Sequence, residues 1–246
     1  NLAFKEIFDQ LCLKKKFTID DLGFLIGPII NSGGRLGFSN FGTELLSSDN
    51  ADTLQKKTLK LINLNNKRKK LEKKILNEIN FKDINKENKN VIIYCNNNIH
   101  EGLIGIIASR LKDYFNKPVI VLTKSNKILK ASARSTKNYN IGKIIKILVD
   151  KKIVENGGGH NMAAGFSIKN DNLKLLDKFI QIDYLKNNKN FELIFNYDSE
   201  LSRSAINENL YNEINKLAPF GSGNSFPIFL IRNLKIIKSR IVGDNH

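Results

Sequence analysis

The chain has no tryptophan, one methionine (Met162), two cysteines and three histidines among 246 residues. Cys12 and Cys95 stand far apart and in no metal or redox spacing, which excludes a disulfide framework and suits a reducing compartment. His100, His160 and His246 are scattered, so no histidine-rich metal motif is present. No apolar run approaches the roughly 18–20 residues that a membrane span needs, and no signal peptide is visible. The reading is therefore of a cytoplasmic protein with no membrane partner. Arginine is scarce too: the 40 basic residues divide into 33 lysines and 7 arginines.

What is present is ordinary in proportion and unusual in charge. At 246 residues the chain can hold one large or two ordinary domains. Its 41% hydrophobic and 26% charged residues suit a globular protein. The net charge is +16, permissive for a partner that carries a phosphate backbone. Because lysine, asparagine and isoleucine are all abundant, the charge reflects a bias of the whole chain and is not diagnostic. The few arginines carry more information.

Residues 157–166 read Gly-Gly-Gly-His-Asn-Met-Ala-Ala-Gly-Phe. Gly157, Gly158 and Gly159 leave the backbone free to adopt φ > 0 and to turn its N–H groups toward an anion, with the His160 imidazole alongside. The alternative is a tight glycine turn before a buried strand, Ala163 to Ile168. Upstream, Ile128–Thr136 reads as a strand on which Ser132, Arg134 and Thr136 share one face. A guanidinium flanked by hydroxyls suits bidentate capture of a phosphate, and an exposed polar strand face is the competing reading. His100 precedes an amphipathic helix in which Leu103, Ile104, Ile106, Ile107, Leu111 and Phe115 recur at helical spacing. Near that N-terminus it is either a cap or a neighbour of a bound anion.

Together these segments resemble one family. His100-Glu101-Gly102-Leu103-Ile104-Gly105, then Lys117-Pro118-Val119-Ile120-Val121-Leu122, then Ser132-Ala133-Arg134-Ser135, then Gly158-Gly159-His160-Asn161-Met162-Ala163-Ala164-Gly165-Phe166 are similar to the motifs of the DHH-associated domain. The version resembled is that of the RecJ family, within the DHH phosphoesterase superfamily. Gly27-Pro28-Ile29-Ile30-Asn31-Ser32-Gly33-Gly34-Arg35-Leu36-Gly37 resembles the end of the RecJ nuclease core. Leu217-Ala218-Pro219-Phe220-Gly221-Ser222-Gly223-Asn224 resembles the entry to its oligonucleotide-binding barrel. One departure is Ile29, where the family usually has arginine.

The resemblance implies an α/β fold: a DHH-associated α/β domain preceded by a long connecting helix and followed by a partial β-barrel of the OB type. The divisions expected are 1–50 for the end of the nuclease core, 51–85 for the connecting helix, 86–186 for the α/β domain and 187–246 for the start of the barrel. The activity implied is single-stranded-DNA-specific 5′→3′ exonuclease action in DNA repair and recombination. Mn²⁺ or Mg²⁺ would be bound by an N-terminal domain that this chain lacks. The chain opens at Asn1 inside a helical pattern and closes in mid-barrel, so it reads as a middle piece, inactive alone. By the same resemblance His160 is the catalytic group. Ser132, Arg134, Ser135, Gly157, Gly158, Gly159, His100, Asn31 and Arg35 would contact phosphate or nucleic acid. Single-stranded DNA is the implied partner, with a single-stranded-DNA-binding protein and a helicase, and the chain is expected to be a monomer. Two other readings stay open. One is a non-catalytic module that holds single strands, and the other is a DHH-family oligoribonuclease or nucleotide phosphatase.

Element by element, the pattern predicts a long helix from about Ala51 to Ile79 with Leu54, Leu61, Leu64, Leu71, Ile75 and Ile79 as its apolar stripe. Its Lys67-Arg68-Lys69-Lys70 run reads as a solvated face. Strands are expected at Val91–Tyr94, Val119–Leu122, Ile128–Ser135 and Ala163–Ile168. Helices are expected at 102–115, 141–151 and 171–185, the alternation of an α/β domain. Beyond 187 the pattern predicts a strand at Phe191–Tyr197, a helix at Asn207–Leu217 and barrel strands across Pro227–Val242.

Overall fold

A computed structural model describes residues 1–187, 195–221 and 223–240. By its contacts the chain divides into two units, residues 1–191 and 192–246. The first unit begins with short helices: α1 (Leu2–Gln10), α2 (Ile19–Asp21), α3 (Gly27–Arg35) and α4 (Phe41–Leu46), with a π-helical segment Leu22–Ile26 joining α2 to α3. Ala3, Ile7, Ile26, Ile29 and Leu45 are buried among them, so Ile29 serves this small core. Burial is the physical account of its identity, since an arginine there would have to lose its solvation.

Helix α5 (Ala51–Glu78) starts where the Asn50 side chain accepts from Thr53 N–H, an N-cap, and α6 (Phe81–Lys86) comes after it. One length of α5 serves two cores. Leu54 and Leu61 pack with the short helices, while Leu71, Ile75 and Leu76 pack into a second cluster with Ile104, Ile107 and Leu111. At about 1.5–3 kcal/mol for each fully buried aliphatic side chain, this double anchorage fixes the first helices against the α/β portion of the unit.

That portion comprises β1 (Ile92–Cys95), a 3₁₀ turn at Glu101–Leu103, α7 (Ile104–Phe115), β2 (Val119–Ser125), β3 (Ile128–Arg134), α8 (Ile141–Asp150), β4 (Asn156–His160), β5 (Ala163–Ile168) and α9 (Leu173–Asn187). The strands form one sheet in the order β1-β2-β3-β5-β4. The β1–β2 pair is parallel, as a crossover through α7 requires, and the other pairs are antiparallel. Val119 and Val121 face α7, whereas Ile120 and Leu122 pack with α8 and α9. A run of apolar residues in β2 is thus buried on both faces. On β3 burial alternates: Leu129, Ala131 and Ala133 point into the α8–α9 core, and Lys130, Ser132 and Arg134 point the other way.

One element departs from its sequence reading. Gly157, Gly158 and Gly159 form no turn; they are the middle of β4, an edge strand, and none has positive φ. The reason is close packing. A Cβ on Gly157 would lie 2.6 Å from Phe166 Cβ and 2.9 Å from Ile145 Cγ2, and one on Gly159 would lie 2.2 Å from the Ala163 carbonyl oxygen. Only bare backbone lets α8 lie that close to β4.

In the second unit the described residues show β6 (Ser199–Glu200) paired parallel with β7 (Phe229–Leu230), and α10 (Glu208–Asn215), capped by Asn207. The expected strand at Phe191–Tyr197 falls partly outside the described residues, and Phe195–Tyr197 is not strand. Across Pro227–Val242 only Phe229–Leu230 is strand among the described residues, with 241–242 outside them. Ile236 and Ile237 are 83% and 94% exposed, so their β-branched side chains have no face to pack on. Strand propensity without burial does not hold a strand.

Candidate nucleic-acid interface

The face of β3 opposite the α8–α9 core presents Ser132 and Arg134 beneath the start of α7. A Cβ placed on Gly105 would lie 3.0 Å from Arg134 Nη2 and 3.2 Å from Ser132 Oγ. Arg134 Nη1 donates to Ser132 Oγ at 3.0 Å and to the Ala133 carbonyl at 2.8 Å. None of these partners is anionic. The positive end of α7 also points toward the pair, which favours an anion there.

Arg35 arrives from the other side. It is the last residue of α3, and its Nη1 donates to the Gly102 carbonyl at 3.2 Å. The approach is so tight that a Cβ on Gly102 would lie 2.0 Å from the Arg35 carbonyl oxygen. Burial lowers the pKa of Arg134, and the nearby charge of Arg35 lowers it further. Burial lowers Arg35 as well, with the charge of Arg68 adding to it and Glu72 opposing. Half-buried guanidinium groups that crowd one another store electrostatic free energy that an anion would release.

His160 ends β4 at the surface, and its ring makes no hydrogen bond among the described residues. The α8 N-terminus braces this corner: Ile141 N–H donates to the Asn161 carbonyl, and Asn140 Nδ2 to Asn161 Oδ1. His100 is a cap, its Nδ1 accepting from Gly102 N–H at 3.1 Å. That bond places the ring proton on Nε2, which is left as a donor. Asn31 is exposed on α3, one turn before Arg35. Ser135 is corrected: it is 1% exposed, and its hydroxyl donates to the Tyr139 carbonyl at 2.6 Å, so it serves the fold. The glycine trio is corrected with it, because a strand cannot turn three successive N–H groups to one side. Among the three, Gly158 alone faces open space.

The Lys67–Lys70 run is also not simply a solvated face. Arg68 is largely buried, donating from Nε to Asn65 Oδ1 at 3.0 Å and from Nη1 to Glu72 Oε2 at 3.1 Å. Glu72 Oε1 accepts from Arg110 Nε of α7 at 2.8 Å. A buried carboxylate on α5 thus joins two arginines and ties α5 to α7, beside Arg35. The spacing Asn65, Arg68, Glu72 puts all three on one helix face, and that was the available signal. Four of the seven arginines therefore gather here. We expect Glu72→Ala to destabilise the chain by about 2–3 kcal/mol, since it strands a buried guanidinium while Arg110 keeps access to water. A thermal melt that matches the parent protein would refute this.

Comparison with known proteins fits this geometry. The DHHA1 domain family matches residues 88–187, and the RecJ OB domain family matches residues 197–246. The chain is 30% identical over 242 residues to the single-stranded-DNA-specific exonuclease RecJ of Haemophilus influenzae, covering 94% of this chain and 42% of that protein. It is 28% identical over 231 residues to the Bacillus subtilis protein of the same name, covering 92% and 29%. The chain thus spans less than half the length of these relatives. The crystal structure of Thermus thermophilus RecJ in complex with Mn²⁺ superposes with a TM-score of 0.78 at 23% identity, over 94% of this chain and 34% of that one.

Proposed function

We infer, for a chain that belongs to the RecJ family over the length it spans, that it forms the strand-gripping part of a single-strand-specific 5′→3′ DNA exonuclease. The observation that carries the reading is the meeting of Arg35 and Arg134, half-buried and mutually repelling, beside Ser132 and an exposed His160. Such a site is complementary to a phosphate and to little else. Arg134 and Ser132 hold the terminal 5′-phosphate. His160 donates to a non-bridging oxygen of the scissile or adjacent phosphate. Arg35 spans the two sides of the cleft and neutralises the strand between them. Positioning and charge neutralisation of this kind supply much of the catalysis of phosphoryl transfer.

The Mn²⁺ or Mg²⁺ that the family implies finds no fit among the described residues. They bring no three His, Cys, Asp or Glu side chains together, and Glu72 is already engaged by two arginines. We assign the metal ligands to the part of the relatives that this chain does not span. Bound there, the metal would supply the activated water.

A second reading applies to the chain by itself: it holds single strands without cutting them. We expect the purified 246-residue chain to bind 5′-labelled single-stranded DNA and to leave it intact when Mn²⁺ or Mg²⁺ is added. Affinity should fall steeply with salt, with a log–log slope of about −0.7 for each phosphate neutralised. Metal-dependent shortening of the strand would defeat the binding-only reading. Binding indifferent to salt would defeat the electrostatic one.

A further inference from the structure

Beside Ser132 the sheet is bare backbone for no reason that the fold supplies. Gly158 and Gly165 lie opposite each other on β4 and β5, and Gly165 lies opposite Ser132. A Cβ built on Gly158 meets nothing within 4 Å, and one on Gly165 meets only the Ala131 carbonyl oxygen at 3.8 Å, an ordinary contact. Neither residue has positive φ. Both positions could therefore carry alanine without strain, and glycine inside a strand weakens it. Gly157 and Gly159, by contrast, are accounted for by the packing of α8. A glycine with open space above it marks close approach by something else.

One row further along the same face lies Ser167, opposite both Lys130 of β3 and Asn156 of β4. These three residues, with Gly165, Ile104 and Glu101, line a groove of about 480 Å³. Ser167 is only 2% exposed, yet its hydroxyl makes no hydrogen bond among the described residues. Buried hydroxyls are normally partnered. Lys130 is partly buried and forms no ion pair among the described residues. An unpartnered donor beside an uncompensated ammonium fits an anionic oxygen. Lys130 with Ser167 also repeats the pairing of Arg134 with Ser132, a cation beside a hydroxyl. On β3 the step from Ser132 to Lys130 is two residues, about 6.7 Å, comparable to the step between successive phosphates of an extended single strand. Glu101 stands on the rim, its Oε2 accepting from Ser125 Oγ at 3.3 Å. Its charge keeps a phosphate to the Lys130 side.

We propose that this groove is a second phosphate subsite for the same strand. Lys130 and Ser167 hold the phosphate next to the one on Ser132 and Arg134, and the Gly158–Gly165 floor seats the sugar between them. The inference rests on the reading of Ser132 and Arg134 as a phosphate site.

The test is calorimetric titration of the 246-residue chain with a deoxynucleoside 3′,5′-bisphosphate and, separately, with the 5′-monophosphate. We expect the bisphosphate to bind about tenfold more tightly. Lys130→Ala should erase that advantage and leave the monophosphate affinity in place. Gly165→Ala should melt at the same temperature as the parent or higher, yet also lose the advantage, because its methyl group occupies the sugar seat. A merely structural glycine would do the reverse, lowering the melting temperature and sparing the advantage. Equal affinities for the two ligands, or an advantage retained in both variants, would overturn the second subsite and leave the first standing. A parent protein that binds neither nucleotide would overturn the reading of Ser132 and Arg134, and this one with it.

Discussion

Arg134→Ala is expected to lower the affinity of the chain for 5′-phosphorylated single-stranded DNA by one to two decades, while affinity for the 5′-hydroxyl strand barely changes. The guanidinium sits half-buried with only a hydroxyl and a carbonyl as partners, so it meets a terminal phosphate at little further desolvation cost. A charge-assisted hydrogen bond of this kind is worth about 1.5–3 kcal/mol, which converts to the stated range. The side chain serves no core, because Ala133, not Arg134, faces the apolar interior. Removing it also relieves the repulsion from Arg35, so the fold should be unharmed or slightly favoured. Competition binding with matched oligonucleotides that differ only at the 5′ end measures the effect. Equal losses on both strands would place Arg134 in general backbone contact and not at the terminus.

His160→Ala carries the second large effect. We expect cleavage to fall by about two to three decades when this chain is joined to the amino-terminal part of the Haemophilus influenzae relative, the size seen when a preorganised donor to a developing charge is lost. Stability should change by less than about 0.5 kcal/mol, since the imidazole is exposed and leaves no cavity. The two readouts separate the roles. A structural histidine would lower the melting temperature, and activity would track the folded fraction. A well-folded and fully active variant would remove His160 from the site.

Much of the fold was legible because its signals are local. Helix α5 is announced by a long apolar stripe and an asparagine cap, and strand β5 by a run of small and apolar residues between a turn and a charged segment. The phosphate-facing side of β3 comes from period-two alternation, since Ala131 and Ala133 mark the buried side. The illegible features depend on partners distant in sequence. Ser135 looks as available as Ser132 along the chain, yet one residue of strand parity turns it into the interior to meet the Tyr139 carbonyl. Arg68 looks like one charge in a basic run until Glu72 and Arg110 are seen around it.

The sequence by itself determined the family, the order of the elements and the identity of the scarce arginines and histidines. Those are properties of residue type and spacing, and they survive any arrangement in space. Only the tertiary structure decided that Arg35 of α3 lies beside Arg134 of β3, that the glycine run is an edge strand under α8, and that Gly165 has open space above it. Each of these rests on how closely two packed surfaces approach. Side-chain volume and burial across the whole core set that distance, and no short window of sequence contains it.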